Sequence, residues 1–372
     1  MKVLHVYKTY FPDSMGGVEQ VIYQIARGTE GLGVNSEILT LSADKDEMTI
    51  EVDGHPVHRC HSNFEIASTP FSISAFGRFK KLAAKADIIH YHFPYPFADI
   101  LHFSARLNKP TLLTYHSDII KQKKLLKLYS PLKRRFLTSV DHIVAESPNY
   151  LESSKLLNQF RYKTSVIPIG LDKISYQQAS NEKLDYWLSR FGSRFFLFVG
   201  VLRYYKGLHV LIEAAQNSTY PIVIVGSGPV EQELKEQALK LNVSNLYFTG
   251  RLPNEDKVAL LELCYALVFP SHLRSEAFGI SLLEGAMYGK PLISSEIGTG
   301  TTYINIDKET GIVVPPSDVT GLRNALDYLW DNPKVAKTMG EAAEARYWEI
   351  FTADKMALSY VKLYKKLLAD TV

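Results

Sequence analysis

The sequence has few cysteines and no long apolar segment. Its 372 residues include only two cysteines, Cys60 and Cys264, which stand far apart in the chain. Two cysteines cannot supply a disulfide scaffold or a thiolate metal framework, and they favour a reduced, intracellular protein. No run of about 18 apolar residues occurs, so no transmembrane helix is expected. We therefore expect a cytoplasmic protein.

The sequence also lacks a strong net charge. The formal charge is +3 over the chain, with 46% hydrophobic and 22% charged residues, as in a soluble globular protein. Residues 1–170 hold 21 basic against 16 acidic residues, a net +5, and the remainder holds 21 against 23, a net −2. The small charge and the absence of a recognised binding motif argue against nucleic acid as a partner. The length and the uneven charge indicate two domains.

Short apolar runs typical of strands alternate with helical patterns throughout the chain. Examples of the predicted strands are 87–92, 111–116, 195–200 and 266–270. Such alternation predicts an α/β protein made of two doubly wound, Rossmann-like domains that face each other across a cleft. We place the domains at 1–170 and 171–351. Residues 64–86 are expected to form one helix of the first domain.

Residues 274–291 follow one predicted strand and precede another. Apolar residues at helical spacing indicate a loop that feeds a helix, with Glu276 before the helix and Glu284 inside it. Gly279 stands at the helix entrance, where bare amides and the helix dipole favour an anion. Two carboxylates beside an anion site suit a ligand that carries hydroxyls and phosphates. The alternative is an ordinary strand, loop and helix with two surface glutamates.

Two cations follow the first strand of the second domain. Arg203 and Lys206 lie in the loop between that strand and the next helix, an arrangement suited to a diphosphate.

The first domain offers weaker signals. Gly16 and Gly17 precede a helix and can admit a phosphate or sugar, although a tight turn is by itself the better explanation of the pair. His116 ends a predicted parallel strand, where ligands bind. No carboxylate or thiol is spaced to complete a metal site with the histidines, so no metal is expected. Asp44 and Asp46 match a metal-binding DxD pattern but lie in a charged loop, which we interpret as solvated surface.

Residues 121–135 contain seven basic residues, no acidic residue and four leucines. This basic amphipathic segment fits an anionic membrane surface, and it equally fits a solvated helix whose leucines cover the core.

The order and spacing of one set of residues resembles a known family, the retaining GT-B glycosyltransferases of family 4. The set comprises Gly200, Arg203, Lys206-Gly207, Gly226-Ser227-Gly228, Gly250-Arg251-Leu252 and Glu276-x7-Glu284, with Gly16-Gly17-Val18-Glu19 and His116 in the first domain. The resemblance runs essentially end to end. The opening residues 3–12 are also similar to bacterial mannosyltransferases of O-antigen and polysaccharide assembly.

The resemblance implies a role for each matching residue. Arg203 and Lys206 would neutralise the donor diphosphate in place of a metal, and no other cofactor is implied. Glu284 would bind the nucleotide ribose and Glu276 the hydroxyls of the transferred sugar. The backbone amides of Phe278 and Gly279 would contact the sugar and the phosphate. Gly17 would lie close to the donor phosphate, and His116 would contact the donor sugar. The nucleotide base would lie near Arg251 and Leu252.

The implied activity is transfer of a hexose, expected to be mannose from GDP-mannose or a related GDP- or UDP-sugar, with retention at the anomeric carbon. The implied acceptor is a lipid-linked saccharide at the inner face of the cytoplasmic membrane, with other polysaccharide-assembly enzymes as partners. The first domain would bind the acceptor and the second the donor, and a helix over 352–372 would pack back on the first domain. The alternatives are a sugar-nucleotide epimerase of the same fold and a non-catalytic nucleotide-binding membrane scaffold.

Overall fold

The computed structural model describes residues 1–14, 16–46, 48–106, 108–119 and 123–370, without the side chains of Lys123 and Lys124. The chain divides into two compact units. The first comprises Met1–Gly170 and Ala353–Val372, and the second comprises Leu171–Thr352. No helix among the described residues is long and apolar enough to cross a membrane.

The first unit is built on an eight-stranded sheet. Its strand order is β10-β9-β8-β7-β1-β2-β4-β3, parallel except for β3, which runs antiparallel to β4. The strands are β1 Lys2–Val6, β2 Asn35–Ser42, β3 Thr49–Val52, β4 His55–His61, β7 Ile88–Phe93, β8 Thr111–Tyr115, β9 His142–Ala145 and β10 Thr164–Val166. Every residue of β7 and β8 is buried, because helices cover both faces of a parallel sheet.

The described residues of the first unit form six α-helices. They are α1 Gly17–Glu30, α2 Ser74–Lys85, α3 Pro96–Ala105, α4 Lys123–Ser139, α5 Pro148–Ser153 and α14 Ala353–Ala369. The last of these packs against α1, and it also reaches the sheet, where the hydroxyls of Tyr360 and Tyr364 bond to Thr114 and His90.

The expected helix over 64–86 is wrong in its first part. Residues Phe64–Ile66 (β5) and Thr69–Phe71 (β6) form an antiparallel hairpin, and the helix begins only at Ser74. Pro70 lacks a backbone N–H and would break a helix at this point. The alternation of Phe64 and Ile66 with Glu65 is a strand pattern.

The second unit has a six-stranded, fully parallel sheet in the order β13-β12-β11-β14-β15-β16. Its strands are β11 Phe196–Val199, β12 Ile222–Val225, β13 Leu246–Gly250, β14 Ala266–Phe269, β15 Leu292–Ser295 and β16 Gly311–Val314. Its helices are α6 Asn181–Phe191, α7 Leu208–Ala214, α8 Glu231–Lys240, α9 Asn254–Leu263, α10 Ile280–Met287, α11 Thr301–Ile304, α12 Val319–Asp331 and α13 Pro333–Ile350.

The strand order of the second unit reverses between β11 and β14. From β11 the chain builds outward to β12 and β13, and from β14 it builds the other way to β15 and β16. The chain therefore continues in opposite directions along the sheet from β11 and from β14, and the carboxyl ends of these two neighbouring strands mark the switch point of the sheet. Ligands of open α/β sheets bind at such a switch point.

Candidate active site

The loops that follow β11 and β14 pack tightly against each other at the switch point. Gly207 closes the short 3₁₀ turn after β11 with φ of 72°, and a Cβ atom there would lie 2.0 Å from the carbonyl oxygen of Pro270. Only glycine fits both the dihedral angle and the gap. This close packing brings Lys206 of one loop to Glu276 of the other.

Lys206 and Glu276 form an ion pair, with Nζ bonded directly to Oε2. Each side chain is only 11% exposed, and the ammonium lies 4.6 Å from the centre of the Phe269 ring. Ser271 Oγ also donates to Oε2 at 3.4 Å. The family resemblance assigns Lys206 to the donor diphosphate and Glu276 to the sugar hydroxyls. In the structure the two side chains contact each other. A phosphate and a sugar hydroxyl could each engage one member of this pair.

Arg203 lies at the start of the same turn and is exposed. Among the described residues its guanidinium makes no hydrogen bond or ion pair. A second cation is therefore available close to Lys206 in the chain, and its charge is not neutralised by the protein.

The helix α10 starts directly beyond Glu276. Gly279 adopts φ of 100° as its N-cap, and the first helical hydrogen bond runs from Leu283 N to Gly279 O. The preceding backbone amides have no hydrogen-bond acceptor within the helix, so they can donate to a bound anion. Phe278 is 3% exposed and fits against Gly300, where a Cβ atom would lie 2.5 Å from its ring. The side chain of Phe278 thus anchors the loop and leaves its backbone for ligand contact.

Glu284, in the middle of α10, is held through one of its two oxygens. Oε1 accepts hydrogen bonds from Lys257 Nζ and Tyr176 OH, both at 2.8 Å. Burial and the neighbouring carboxylate raise the pKa of Tyr176 well above its ordinary value, so it remains a donor. Oε2 has no hydrogen-bond partner in the described part of the chain. This oxygen is free to bind a ribose hydroxyl.

Tyr176 and Lys257 are not among the site residues predicted from the sequence. They lie 108 and 27 residues from Glu284 along the chain, so only the fold reveals the contact. Arg251 and Leu252 follow β13, two strands from β11, and Arg251 is exposed. Their contact with a base remains a prediction.

In the first unit, Gly17 is the first residue of α1, and the helix entrance is organised by a buried carboxylate. Glu19 is 5% exposed and accepts hydrogen bonds from Thr9 Oγ1 and Ser14 Oγ, both at 2.7 Å. A Cβ atom at Gly16 would lie 2.4 Å from Glu19 Oε2, which explains the glycine. The contact of Gly17 with a phosphate remains a prediction.

His116 lies directly after β8 and is part of a buried chain of hydrogen bonds. Its Nδ1 is 2.5 Å from Glu146 Oε1 and its Nε2 is 3.0 Å from His92 Nδ1. His92 Nε2 is in turn 3.0 Å from His5 Nδ1. All four residues are at most 5% exposed. Both ring nitrogens of His116 are therefore occupied within the unit, which leaves only its backbone and ring carbon edge for a sugar.

One direction in this chain follows from Glu146. An ionised carboxylate only accepts, so His116 donates to it from Nδ1. Burial lowers the pKa of His5 to about 3 and that of His92 well below its ordinary value, which keeps both rings neutral. His5 Nε2 has no hydrogen-bond partner among the described residues.

His5, His90 and His92 together offer ring nitrogens that lie within 4.8 Å of one another. His90 is already bonded to Thr114 at 2.7 Å and to Tyr364 at 2.8 Å, and no carboxylate belongs to the cluster. A divalent cation here would break these bonds without gaining an anionic ligand. The cluster fits a metal poorly, and the expectation of a metal-free enzyme remains a prediction.

The basic segment 121–135 mostly forms α4, and residues 121 and 122 lie outside the described residues. Leu125 and Leu128 are 47% and 81% exposed, so these two leucines do not cover the core as the solvated-helix alternative required. Phe136 and Leu137, further along, provide buried contacts instead. Arg135 stacks over Phe103 of α3 at 4.9 Å.

Comparisons with known proteins cover both units. Residues 15–173 match the family described as "Glycosyltransferase Family 4", and residues 182–346 match that described as "Glycosyl transferases group 1". The chain is 57% identical to the D-rhamnosyltransferase WbpZ of Pseudomonas aeruginosa, over 95% of this chain and 93% of the relative. It is 53% identical to the O-antigen chain mannosyltransferase C of Escherichia coli, over 99% of each. The solved sucrose-phosphate synthase from Thermosynechococcus elongatus has a TM-score of 0.80 at 21% identity, covering 99% of both chains.

Proposed function

The chain belongs to the glycosyltransferases of family 4 and has their GT-B fold, and we propose that it transfers mannose from GDP-mannose to a lipid-linked saccharide during O-antigen synthesis. The family membership confirms the enzyme class and the fold that the sequence predicted. The observation that carries the proposal is the Lys206–Glu276 pair at the switch point of the second unit, in a chain with two relatives above 50% identity that transfer manno-configured sugars.

The donor sugar is inferred from those two relatives. One is named for mannose and the other for D-rhamnose, which is 6-deoxymannose. The two sugars share every ring configuration and differ only at C6, so a pocket common to both recognises the hydroxyls at C2, C3 and C4. Glu276 is the carboxylate proposed to bind such hydroxyls.

The diphosphate is proposed to lie between Lys206 and Arg203, which neutralise the leaving group without a metal. When the donor binds, the ammonium of Lys206 forms an ionic contact with the phosphate and releases an oxygen of Glu276. That oxygen then accepts a hydrogen bond from a sugar hydroxyl. Amides of Phe278 and Gly279 contact the sugar and phosphate, and Glu284 Oε2 accepts from the ribose. Because these cations would replace a metal ion, the enzyme should remain active in the presence of a chelator.

The first unit is proposed to bind the acceptor, and its Gly17 and His116 are proposed to contact the donor phosphate and the donor sugar, as the family implies. Because both nitrogens of His116 are committed to Glu146 and His92, we assign its sugar contact to the backbone. Retention is proposed to follow from attack on the same face as the departing phosphate, since no covalent nucleophile is assigned.

The basic helix α4 is proposed to bind anionic lipid at the inner face of the cytoplasmic membrane, where a lipid-linked acceptor is found. Exposed Leu125 and Leu128 and the cations of Lys127, Arg134 and Arg135 support this. Changing these three cations to glutamine should reduce binding to anionic vesicles and make the remaining binding less sensitive to salt.

The proposal is tested by product analysis with a panel of donors. The purified protein, treated with EDTA, is incubated with a lipid-linked saccharide acceptor and GDP-mannose, GDP-D-rhamnose or UDP-glucose. We expect an α-linked mannosyl product from GDP-mannose at undiminished rate. Transfer from UDP-glucose alone, an inverted product or a strict need for Mn²⁺ would each contradict a stated part of the proposal. Release of free sugar nucleotide epimer without acceptor would support the epimerase alternative.

A further inference from the structure

A short hairpin in the first unit exposes an apolar face. Phe64 and Ile66 occupy alternate positions of β5, so they point to the same side, and they are 51% and 52% exposed. Ile73 and Phe76 follow directly and are 73% and 37% exposed. Four large apolar side chains within 13 residues thus remain in contact with water.

The turn of this hairpin has an unusual conformation. Its two central residues, Ala67 and Ser68, have φ of 54° and 61°. Positive φ at both positions is the mark of a tight type I′ turn, which normally uses asparagine or glycine. Residues with a Cβ atom adopt it at a cost in free energy, and such costs concentrate at functional segments.

The hairpin is held firmly at its base. Phe71 stacks on Phe64 with ring centres 5.1 Å apart and contacts the buried ring of Phe97 in α3 at 5.2 Å. The amide of Ile73 donates to Asn63 Oδ1 at 2.8 Å. Its exposed residues therefore belong to a fixed structure.

The helices near the hairpin carry charge of one sign. Both α2 and α4 pack against α3, as does β6. Neither α2 nor α4 contains an acidic residue, and α2 contributes Arg78, Lys80, Lys81 and Lys85. Apolar side chains next to purely basic helices suit a surface with apolar depth and negative charge, as an anionic bilayer has.

We propose that the hairpin Phe64–Phe71 is a membrane anchor. Phe64 and Ile66 enter the boundary between headgroups and acyl chains, and the basic side chains of α2 and α4 contact the anionic headgroups. The inference deepens the membrane part of the proposed function, which rested on the charge of α4, by adding an apolar contact that salt does not screen.

The first test removes the apolar tip. The full-length double variant Phe64→Ser and Ile66→Ser is compared with wild type in sedimentation with phosphatidylglycerol-containing vesicles at low and high salt. We expect the partition coefficient to fall about tenfold at both salt concentrations, because the apolar contact is lost. The matched control is Ile174→Ser in the second unit, where the isoleucine is 93% exposed, and it should bind as wild type. Unchanged vesicle binding by the double variant would overturn the proposal.

The second test measures depth and keeps the hairpin aromatic. All three native tryptophans, Trp187, Trp330 and Trp348, lie in the second unit. In Phe64→Trp, vesicles should shift the added emission to the blue, and lipids brominated in the acyl chains should quench it. The control Ile174→Trp should show neither effect. Absence of added quenching in Phe64→Trp would contradict insertion even if the double serine variant failed to fold.

Failure of the anchor and failure of the proposed function give different results. Transfer to a water-soluble acceptor analogue should be unchanged in the double serine variant, since the hairpin takes no part in donor chemistry. Normal transfer with normal vesicle binding would overturn the anchor alone. A wild-type protein that binds vesicles through the hairpin but transfers no sugar would overturn the proposed function and support the anchor.

Discussion

Both units place polar side chains at the carboxyl ends of parallel strands, but the hydrogen bonding of these side chains differs between the units. In the second unit Arg203 makes no ion pair among the described residues, Glu284 keeps one oxygen without a partner there, and Lys206 contacts Glu276 at the switch point. In the first unit burial keeps His5 and His92 neutral, and their hydrogen bonds run to each other and to His116, which is bonded to Glu146. Polar groups that retain binding capacity indicate a ligand site, whereas buried groups bonded mainly to one another indicate a scaffold. The contrast predicts that changes in the second unit lower activity and that changes in the first lower stability.

The largest expected effect is loss of transfer in Lys206→Ala. The ammonium is proposed to stabilise charge that develops on the leaving diphosphate, and removing one such group should lower kcat by about 10²–10³-fold. The control is Lys235→Ala, which removes an exposed ion pair with Glu231 in the same unit and should leave kcat near normal. Near-normal turnover in Lys206→Ala, with the fold intact by circular dichroism, would remove the diphosphate assignment.

In the first unit, His92→Phe should destabilise the protein. Phenylalanine fills a similar volume but leaves buried ring nitrogens of His5 and His116 without partners, at about 1–3 kcal/mol each in the free energy of unfolding. Denaturant unfolding measures the change. His209→Phe in the second unit is the matched control, because that ring stacks on Tyr204 and makes no side-chain hydrogen bond among the described residues. Equal stability of the two variants would contradict the scaffold interpretation.

Acid should weaken the first unit more than the second. The pKa of His5 is about 3 in the fold and about 6.5 in an unfolded chain. Between these values the unfolded chain holds a proton that the folded chain lacks, so stability falls as pH falls, by up to about 1.4 kcal/mol per pH unit. The lowered pKa values of His90 and His92 act in the same direction.

The measurement uses two probes at pH 7 and pH 5. Tryptophan fluorescence reports the second unit alone, and far-ultraviolet circular dichroism reports both units. We expect the dichroism midpoint to fall below the fluorescence midpoint at pH 5. Coincident midpoints that shift together would mean that the histidines do not set a separate acid sensitivity.

Many of the side-chain contacts on which this contrast rests could not be predicted from the sequence. The strands and the cations after β11 follow from local patterns, and Glu276 and Glu284 follow from their spacing. The Lys206–Glu276 contact spans 70 residues and depends on β11 lying beside β14, which no local pattern specifies.

The hydrogen-bonded chain of histidines could not be predicted either, because β1, β7 and β8 become neighbours only in the folded sheet. Glu146 does carry a local signal, because it is an acidic residue directly after the buried strand β9. The hairpin at 64–71 lies within the range expected to be helical, although Pro70 is a local signal against a helix there.

The smallest expected effect concerns Tyr176→Phe. This change removes one of the two donors to Glu284 Oε1, and Lys257 continues to hold the carboxylate. The KM for the donor should rise a few-fold, about the effect of one neutral hydrogen bond, with kcat nearly unchanged. Tyr328→Phe, at a 47% exposed position of the same unit, is the control. A large fall in kcat would mean that Tyr176 contacts the reacting groups.

The central claim is that Lys206, at the switch point of the second unit, binds the donor diphosphate. Isothermal titration of GDP and of GMP into wild type and Lys206→Ala tests it directly, because the two ligands differ by one phosphate. We predict that Lys206→Ala weakens GDP binding by at least about tenfold, as expected for a charge-assisted hydrogen bond, and changes GMP binding much less. Equal losses for the two nucleotides, or no loss for GDP, would contradict the account.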